Sequence, residues 1–213
     1  MATYKEIKGF AVQNFSQDPV PTTVGWAAGG NLSQARFSLA GAGTQTAGLA
    51  FGGRVPPGNT HPAATEEYGG ATWTSGGAMG TGRATLAGAG TQTAGLVFAG
   101  FPTPTGKTEE YNGTSWSEQN DYPASPKEAL GGLGTQTAAL GFGGYNPTPV
   151  QTSSYEYDGT NWTTGGSMST ARRRCKGSGT QTAGLTAGGV SGGPNSTATA
   201  ESEHYNGSAW TSG

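Results

Sequence analysis

Residues 87–116 read AGAGTQTAGLVFAGFPTPTGKTEEYNGTSW, and the fold is decided by how this stretch recurs. The segment GTQTA begins at Gly43, Gly90, Gly134 and Gly179, at spacings of 47, 44 and 45 residues. The five tryptophans keep a second register, at Trp26, Trp73, Trp116, Trp162 and Trp210, with spacings of 47, 43, 46 and 48. Seven residues before each GTQTA stands a base: Arg36, Arg83, Lys127 or Arg172. Five residues before each of the last four tryptophans stands a tyrosine: Tyr68, Tyr111, Tyr157 or Tyr205. A fixed period of this length marks a repeat architecture.

Each unit divides into four short strands. The first runs from the basic residue to the start of GTQTA, about six residues, an ordinary strand length. GTQT is the turn. The second strand, of the GLAFGG type, is nearly all apolar, which predicts burial on both faces. The third is TEEY, SYEY or SEHY. The fourth begins at the tryptophan, after an Asn-Gly, Asp-Gly or Gly-Gly turn. Such pairs favour hairpins because both central residues need φ > 0. No helical periodicity appears, and abundant Thr suits an all-β chain.

Composition excludes several classes. Glycine supplies 40 of 213 residues and proline 12. Without a period that would argue for disorder; the period argues against it. The net charge of −2 excludes nucleic-acid binding through bulk positive charge. One cysteine excludes an intrachain disulfide or a thiolate zinc site. No apolar run is long enough for a membrane span. The opening MATYKEIKGFAVQNF lacks the apolar stretch of a signal peptide.

Four strands in 43 to 48 residues is the size of a propeller blade. Gly-Gly closing the second strand at residues 52–53, 143–144 and 188–189, followed by Tyr and then Trp, resembles the kelch repeat over residues 26–213; Ala99-Gly100 departs from it. The resemblance implies blades packed radially, with the first strand nearest the axis and Tyr and Trp filling the space between sheets. A narrower resemblance rests on MATYKEIKG joined to GAGTQTAGLAFGG and TEEYNGTSW. It is to kelch-like proteins of marine bacteriophages, which are virion structural or tail-fibre-associated. It implies a virion component assembled in the host cytoplasm, with other virion proteins and further copies of itself as partners, and a host-surface polysaccharide as a possible ligand.

Four complete units, about 26–73, 73–116, 116–162 and 162–210, predict a four-bladed all-β propeller. Trp26 and the following AAGGNLSQAR repeat a fourth strand and its outgoing loop before the first complete unit. Two other readings therefore stay open: five blades with a degenerate N-terminal one, or a ring closed between chains. Residues 1–25 are read as a partial blade or an attachment segment.

The GTQT turn is constant, whereas the connection from strand two to strand three differs in every unit. The four loops span residues 54–65, 101–108, 145–154 and 190–202. Variable loops on a rigid scaffold are where binding resides. The candidate ligand residues are Arg54, His61, Phe101, Lys107, Tyr145, Asn146 and Asn195. Arg54, Phe101 and Tyr145 are expected to converge near the axis, for stacking and hydrogen bonding.

The other polar residues read as structural. Arg36, Arg83, Lys127 and Arg172 are expected to pair with third-strand glutamates, Glu66, Glu109 and Glu203, with Tyr155 in the equivalent place. Gln45, Gln92, Gln136 and Gln181 are expected to satisfy local backbone groups. The run Arg172, Arg173, Arg174 reads as a solvated strand edge. Cys175 reads as an inert thiol. His61 and His204 lie in different units, and no metal-ligand spacing recurs. Glycine-rich strings without a following helix make no phosphate loop. The expectation is a non-enzymatic binding module with no cofactor, metal, nucleic acid or membrane insertion. The alternatives are an architectural protein without ligand and, least favoured, an enzyme.

Overall fold

A computed structural model describes residues 28–102, 106–123, 129–145, 150–192 and 197–213. Residues 1–25, Trp26, Lys127, Asn146 and Asn195 lie outside the described residues. Four antiparallel sheets of four strands make a four-bladed β-propeller. Blade I holds β1 (Ala40–Gly43), β2 (Gly48–Phe51), β3 (Thr65–Tyr68) and β4 (Trp73–Ser75). Blade II holds β5 (Ala87–Gly90), β6 (Gly95–Phe98), β7 (Thr108–Tyr111) and β8 (Trp116–Gln119). Blade III holds β9 (Gly131–Gly134), β10 (Ala139–Phe142), β11 (Ser154–Tyr157) and β12 (Trp162–Thr164). In blade IV, β13 (Lys176–Thr180) and β14 (Ala183–Ala187) are followed by a two-stranded pair, β15 (Val190–Ser191) and β16 (Thr197–Ala198). Then come β17 (Ser202–Tyr205) and β18 (Trp210–Ser212). The first strands of all four blades line one axial cavity.

The GTQT turns follow from one glycine each. Gly43 pairs with Gly48 across the turn at φ 94°, and Gly90 pairs with Gly95 at φ 97°. That left-handed conformation is open to glycine without steric cost. Glycines inside the first strands have another cause. A Cβ on Gly88 would lie 2.6 Å from the Phe51 ring, and one on Gly177 2.8 Å from the Phe142 ring. The phenylalanines of blades I, II and III each lie against the inner strand of the next blade.

The seams between blades are one device used three times. Trp116, Trp162 and Trp210 meet Phe51, Phe98 and Phe142 of the preceding blade at centroid distances of 5.1, 4.8 and 5.0 Å. Their indole Nε1 atoms donate to Thr65, Thr108 and Ser154 at 2.9, 3.0 and 3.3 Å. Tyr111, Tyr157 and Tyr205 donate their hydroxyls to Glu67, Glu110 and Glu156 at 2.5, 3.0 and 2.5 Å. Gln92 donates to the carbonyls of Gly48 and Tyr68, Gln136 to those of Gly95 and Tyr111, and Gln181 to those of Ala139 and Tyr157. The glutamines therefore do not serve their own turns, as the sequence suggested. They cap backbone of the neighbouring blade.

The fourth seam, between blades IV and I, is built differently. Ala187 holds the register position of Phe51, and His204 that of Glu67. Trp73 rests on its own Tyr68 at 5.0 Å and is half-buried. Among the described residues no phenylalanine stands opposite it. Gln45 is exposed. Leu185 is 42% exposed, whereas its counterparts Leu49, Leu96 and Leu140 are buried. Strand β14 alternates exposed and buried residues, so burial on both faces holds for the second strands of blades II and III but not for IV.

First strands begin four residues after the basic residue, not at it. Between the two, Ser38, Thr85, Ala129 and Arg174 adopt φ of 55°, 52°, 58° and 56°. Each costs about 1 kcal/mol or more in a residue with a Cβ. Hydrogen bonds around the axis offset that cost. Thr85 N donates to Ser38 O at 2.8 Å, Ala129 N to Thr85 O at 2.8 Å, and Arg174 N to Ala129 O at 2.6 Å.

Candidate functional site

The registered bases are engaged in structure. Arg36, Arg83 and Arg172 reach Glu66, Glu109 and Glu203 at 2.6 Å in each case, with both side chains nearly or fully buried. Burial pushes the Arg83 guanidinium below its usual pKa, and the Glu109 charge opposes that shift. In blade III a different pair fills the space. Tyr155 takes the glutamate position and packs edge-on against Tyr122 at 5.1 Å. Tyr122 is itself stacked on Phe98 at 5.5 Å. Its role was missed in the sequence. The signal was there: Tyr122 stands six residues after Trp116, as Met79 and Met168 stand after Trp73 and Trp162.

A second set of arginines has no such partners among the described residues. The first residue of a variable loop is tied by paired backbone hydrogen bonds to the segment entering the same blade. Arg54 is tied to Phe37, Phe101 to Ala84, and Val190 to Arg173. This ladder carries loop residues toward the axis. There they line a cavity of about 330 Å³ with Phe37, Ser38, Arg54, Thr85, Phe101, Ala129, Arg173 and Arg174. Ser38, Thr85, Ala129 and Arg174 continue into a deeper cavity with Lys176 on its wall.

The side chains at this mouth are ordered by one another. The Arg54 guanidinium lies 5.7 Å from the Phe37 ring centroid and 5.5 Å from that of Phe101. Its Nε donates to His61 Nε2 at 3.3 Å, and His61 meets the Phe101 ring edge-on at 5.5 Å. Burial and the Arg54 charge together push the His61 pKa below its usual value, so the ring stays a neutral acceptor. The Arg173 guanidinium lies 4.6 Å from the Tyr145 centroid, and its Nε is buried without a hydrogen-bond partner. Among the described residues no carboxylate lines either cavity.

Arg54, His61 and Phe101 are thus brought together, and Tyr145 is joined to the same mouth through Arg173. Lys107 is directed elsewhere: its ammonium pairs with Glu118. Its carbonyl accepts from Arg83 at 2.5 Å. Arg173 and Arg174 are not a solvated strand edge, as the sequence suggested. They precede the strand and face the funnel. Cys175 is buried, and burial raises its thiol pKa.

The mouth offers guanidinium donors and aromatic faces. Guanidinium forks can donate hydrogen bonds to an anion, and aromatic faces can stack on a flat ligand. Among the described residues no cluster of three His, Cys, Asp or Glu has metal-holding geometry. A scan against protein-family models finds no match for the chain, and a search of curated proteins finds none.

Proposed function

We propose that this chain is a non-enzymatic virion protein, a propeller module that binds host-surface glycan through the loop-face mouth of its axial funnel. Two things support the reading. The sequence resembles kelch-like proteins of marine phages. The loops that differ from unit to unit supply Arg54 and Phe101 to one mouth and set Tyr145 against its Arg173, while three of the constant turns cap neighbouring blades. The observation that carries it is the Phe37–Arg54–Phe101 stack. Aromatic faces beside fixed hydrogen-bond donors suit a sugar ring. The test is binding of labelled protein to host cells. Replacing both Arg54 and Phe101 with serine should abolish binding. The exposed turn variant Gln45→Ala should bind like the parent. Equal binding by both would move the site off this face.

One observation favours a second reading, an architectural virion protein without ligand. Leu185 and Ala187 on one face of blade IV are exposed, with no blade packed on them among the described residues. On this reading that face packs against another copy or another particle protein. A mass measurement in solution on the parent and on Leu185→Asp distinguishes the readings, because only the architectural one requires the variant to lose an assembly.

A further inference from the structure

We propose that the funnel mouth selects an acidic saccharide, one whose sugar ring carries a carboxylate or a sulfate. This rests on the glycan-binding reading above and names the class of glycan.

The chain as a whole is slightly acidic, with 11 Lys and Arg against 13 Asp and Glu. An acidic polymer is therefore not drawn to its surface in general. The mouth is the exception. Three of the described arginines are neutralised by buried glutamates at 2.6 Å. Arg54, Arg173 and Arg174 have no carboxylate partner among the described residues, and all three line the same cavity. Lys176 adds a fourth positive charge below them. The charged side chains among the described lining residues are all positive. Low-dielectric walls focus such a field on an incoming anion.

The geometry also points to a sugar, because the anion is not the only thing accommodated. Phe37 and Phe101 hold Arg54 from two sides, and Tyr145 holds Arg173. Guanidiniums steadied by rings keep their planar forks free for bidentate contact with a carboxylate or sulfate. Phe37, which lines the mouth and is exposed, offers apolar surface to the C–H groups of a pyranose. Phe37 is 47% exposed in the free protein, which a docked sugar would cover.

The experiment is titration calorimetry on the full chain with four probes: a uronic-acid hexasaccharide, a sulfated galactan hexasaccharide, a neutral glucan hexasaccharide, and sodium sulfate alone. Either acidic oligosaccharide, or both, should bind at 50 mM NaCl and weaken steeply by 200 mM. The arm that binds names the anion. The neutral glucan and bare sulfate should not bind measurably. Arg54→Gln and Arg173→Gln should each weaken the acidic probe by about tenfold or more, as loss of a charge-assisted contact does. Arg174→Gln removes an exposed charge outside the packed core and should weaken it too, without change in thermal unfolding. Neutral glucan bound as tightly, with Arg174→Gln neutral, overturns acidic selection while the glycan reading stands. No saccharide bound by the folded protein overturns both. Sulfate alone binding as tightly as the sulfated hexasaccharide reduces the mouth to an adventitious anion site and overturns the proposal.

Discussion

At the scale of single residues, the chain spends its few charges in two ways. Arg83 is enclosed and donates to Glu109 as well as to the carbonyls of Ala99 and Lys107. Removing one partner of a buried pair leaves the other uncompensated, which costs about 3–5 kcal/mol. Glu109→Ala is therefore expected to lower the stability measured by urea unfolding by about that amount. A midpoint equal to the parent's would refute the structural role. Cys175 lies in a cluster with Leu133, Phe142 and Met168. With its thiol pKa raised by burial, the native protein at pH 8 should not react with a disulfide reagent, and should react stoichiometrically once unfolded. Fast labelling of the native state would contradict this placement. The arginine–glutamate pairs were legible in the sequence, because a base and an acid recur in fixed register. Arg173 and Arg174 were misread. The bend at Arg174, with φ 56°, breaks the chain away from the sheet, and nothing in the letters RRR announces it.

At the scale of strands and blades, stability resides in the seams. Trp116, Trp162 and Trp210 each touch the preceding blade through a ring contact and an indole hydrogen bond, whereas Trp73 touches only its own tyrosine among the described residues. Truncating a packed aromatic costs about 3–5 kcal/mol. Trp162→Ala is expected to fall in that range, and Trp73→Ala well below it. Equal losses in thermal or urea unfolding would mean that Trp73 has a partner of the same kind. The tyrosines make the seams pH-sensitive. Burial, reinforced by hydrogen bonds to Glu67 and Glu156, pushes the Tyr111 and Tyr205 hydroxyls up to about 12. In the unfolded chain they titrate near 10. Their contribution to stability is thus fully present below pH 10 and is lost as pH rises from 10 through 12. Tyrosinate absorbance for these residues should appear together with unfolding in that window. Full ionisation near pH 10 in a still-folded protein would show that the Tyr–Glu contacts are absent. The strand order and turn positions could be read from period and glycine placement. Which blade each glutamine serves could not, since a repeat shows that a residue is needed without showing across which gap.

At the scale of the whole molecule, repetition and its failure say different things. Units that repeat build three equivalent seams, and the substitutions Ala187 and His204 fall together where the fourth seam would need Phe and Glu. The four-bladed count followed from four GTQTA segments. The unequal seam did not, because it depends on which face of blade IV meets which face of blade I. The site obeys the same logic. Its residues come from positions that break the repeat: Phe37, Arg54, Phe101, Tyr145 and Arg173 share no residue type with most of their counterparts. That much pointed to the loop face. Their meeting at one mouth needed the backbone ties that hold the loop starts Arg54, Phe101 and Val190 to the segments entering their blades. The central claim, that this mouth is where the protein engages its ligand, is tested most directly by mapping amide and guanidinium chemical shifts while saccharide extracted from the host surface is added. The expected result is a set of perturbations centred on Arg54, Phe101, Tyr145 and Arg173, with the GTQT turns unmoved. Perturbations centred on the turns at residues 44–47, 91–94, 135–138 and 180–183 would contradict it and place the ligand at the opposite end of the propeller.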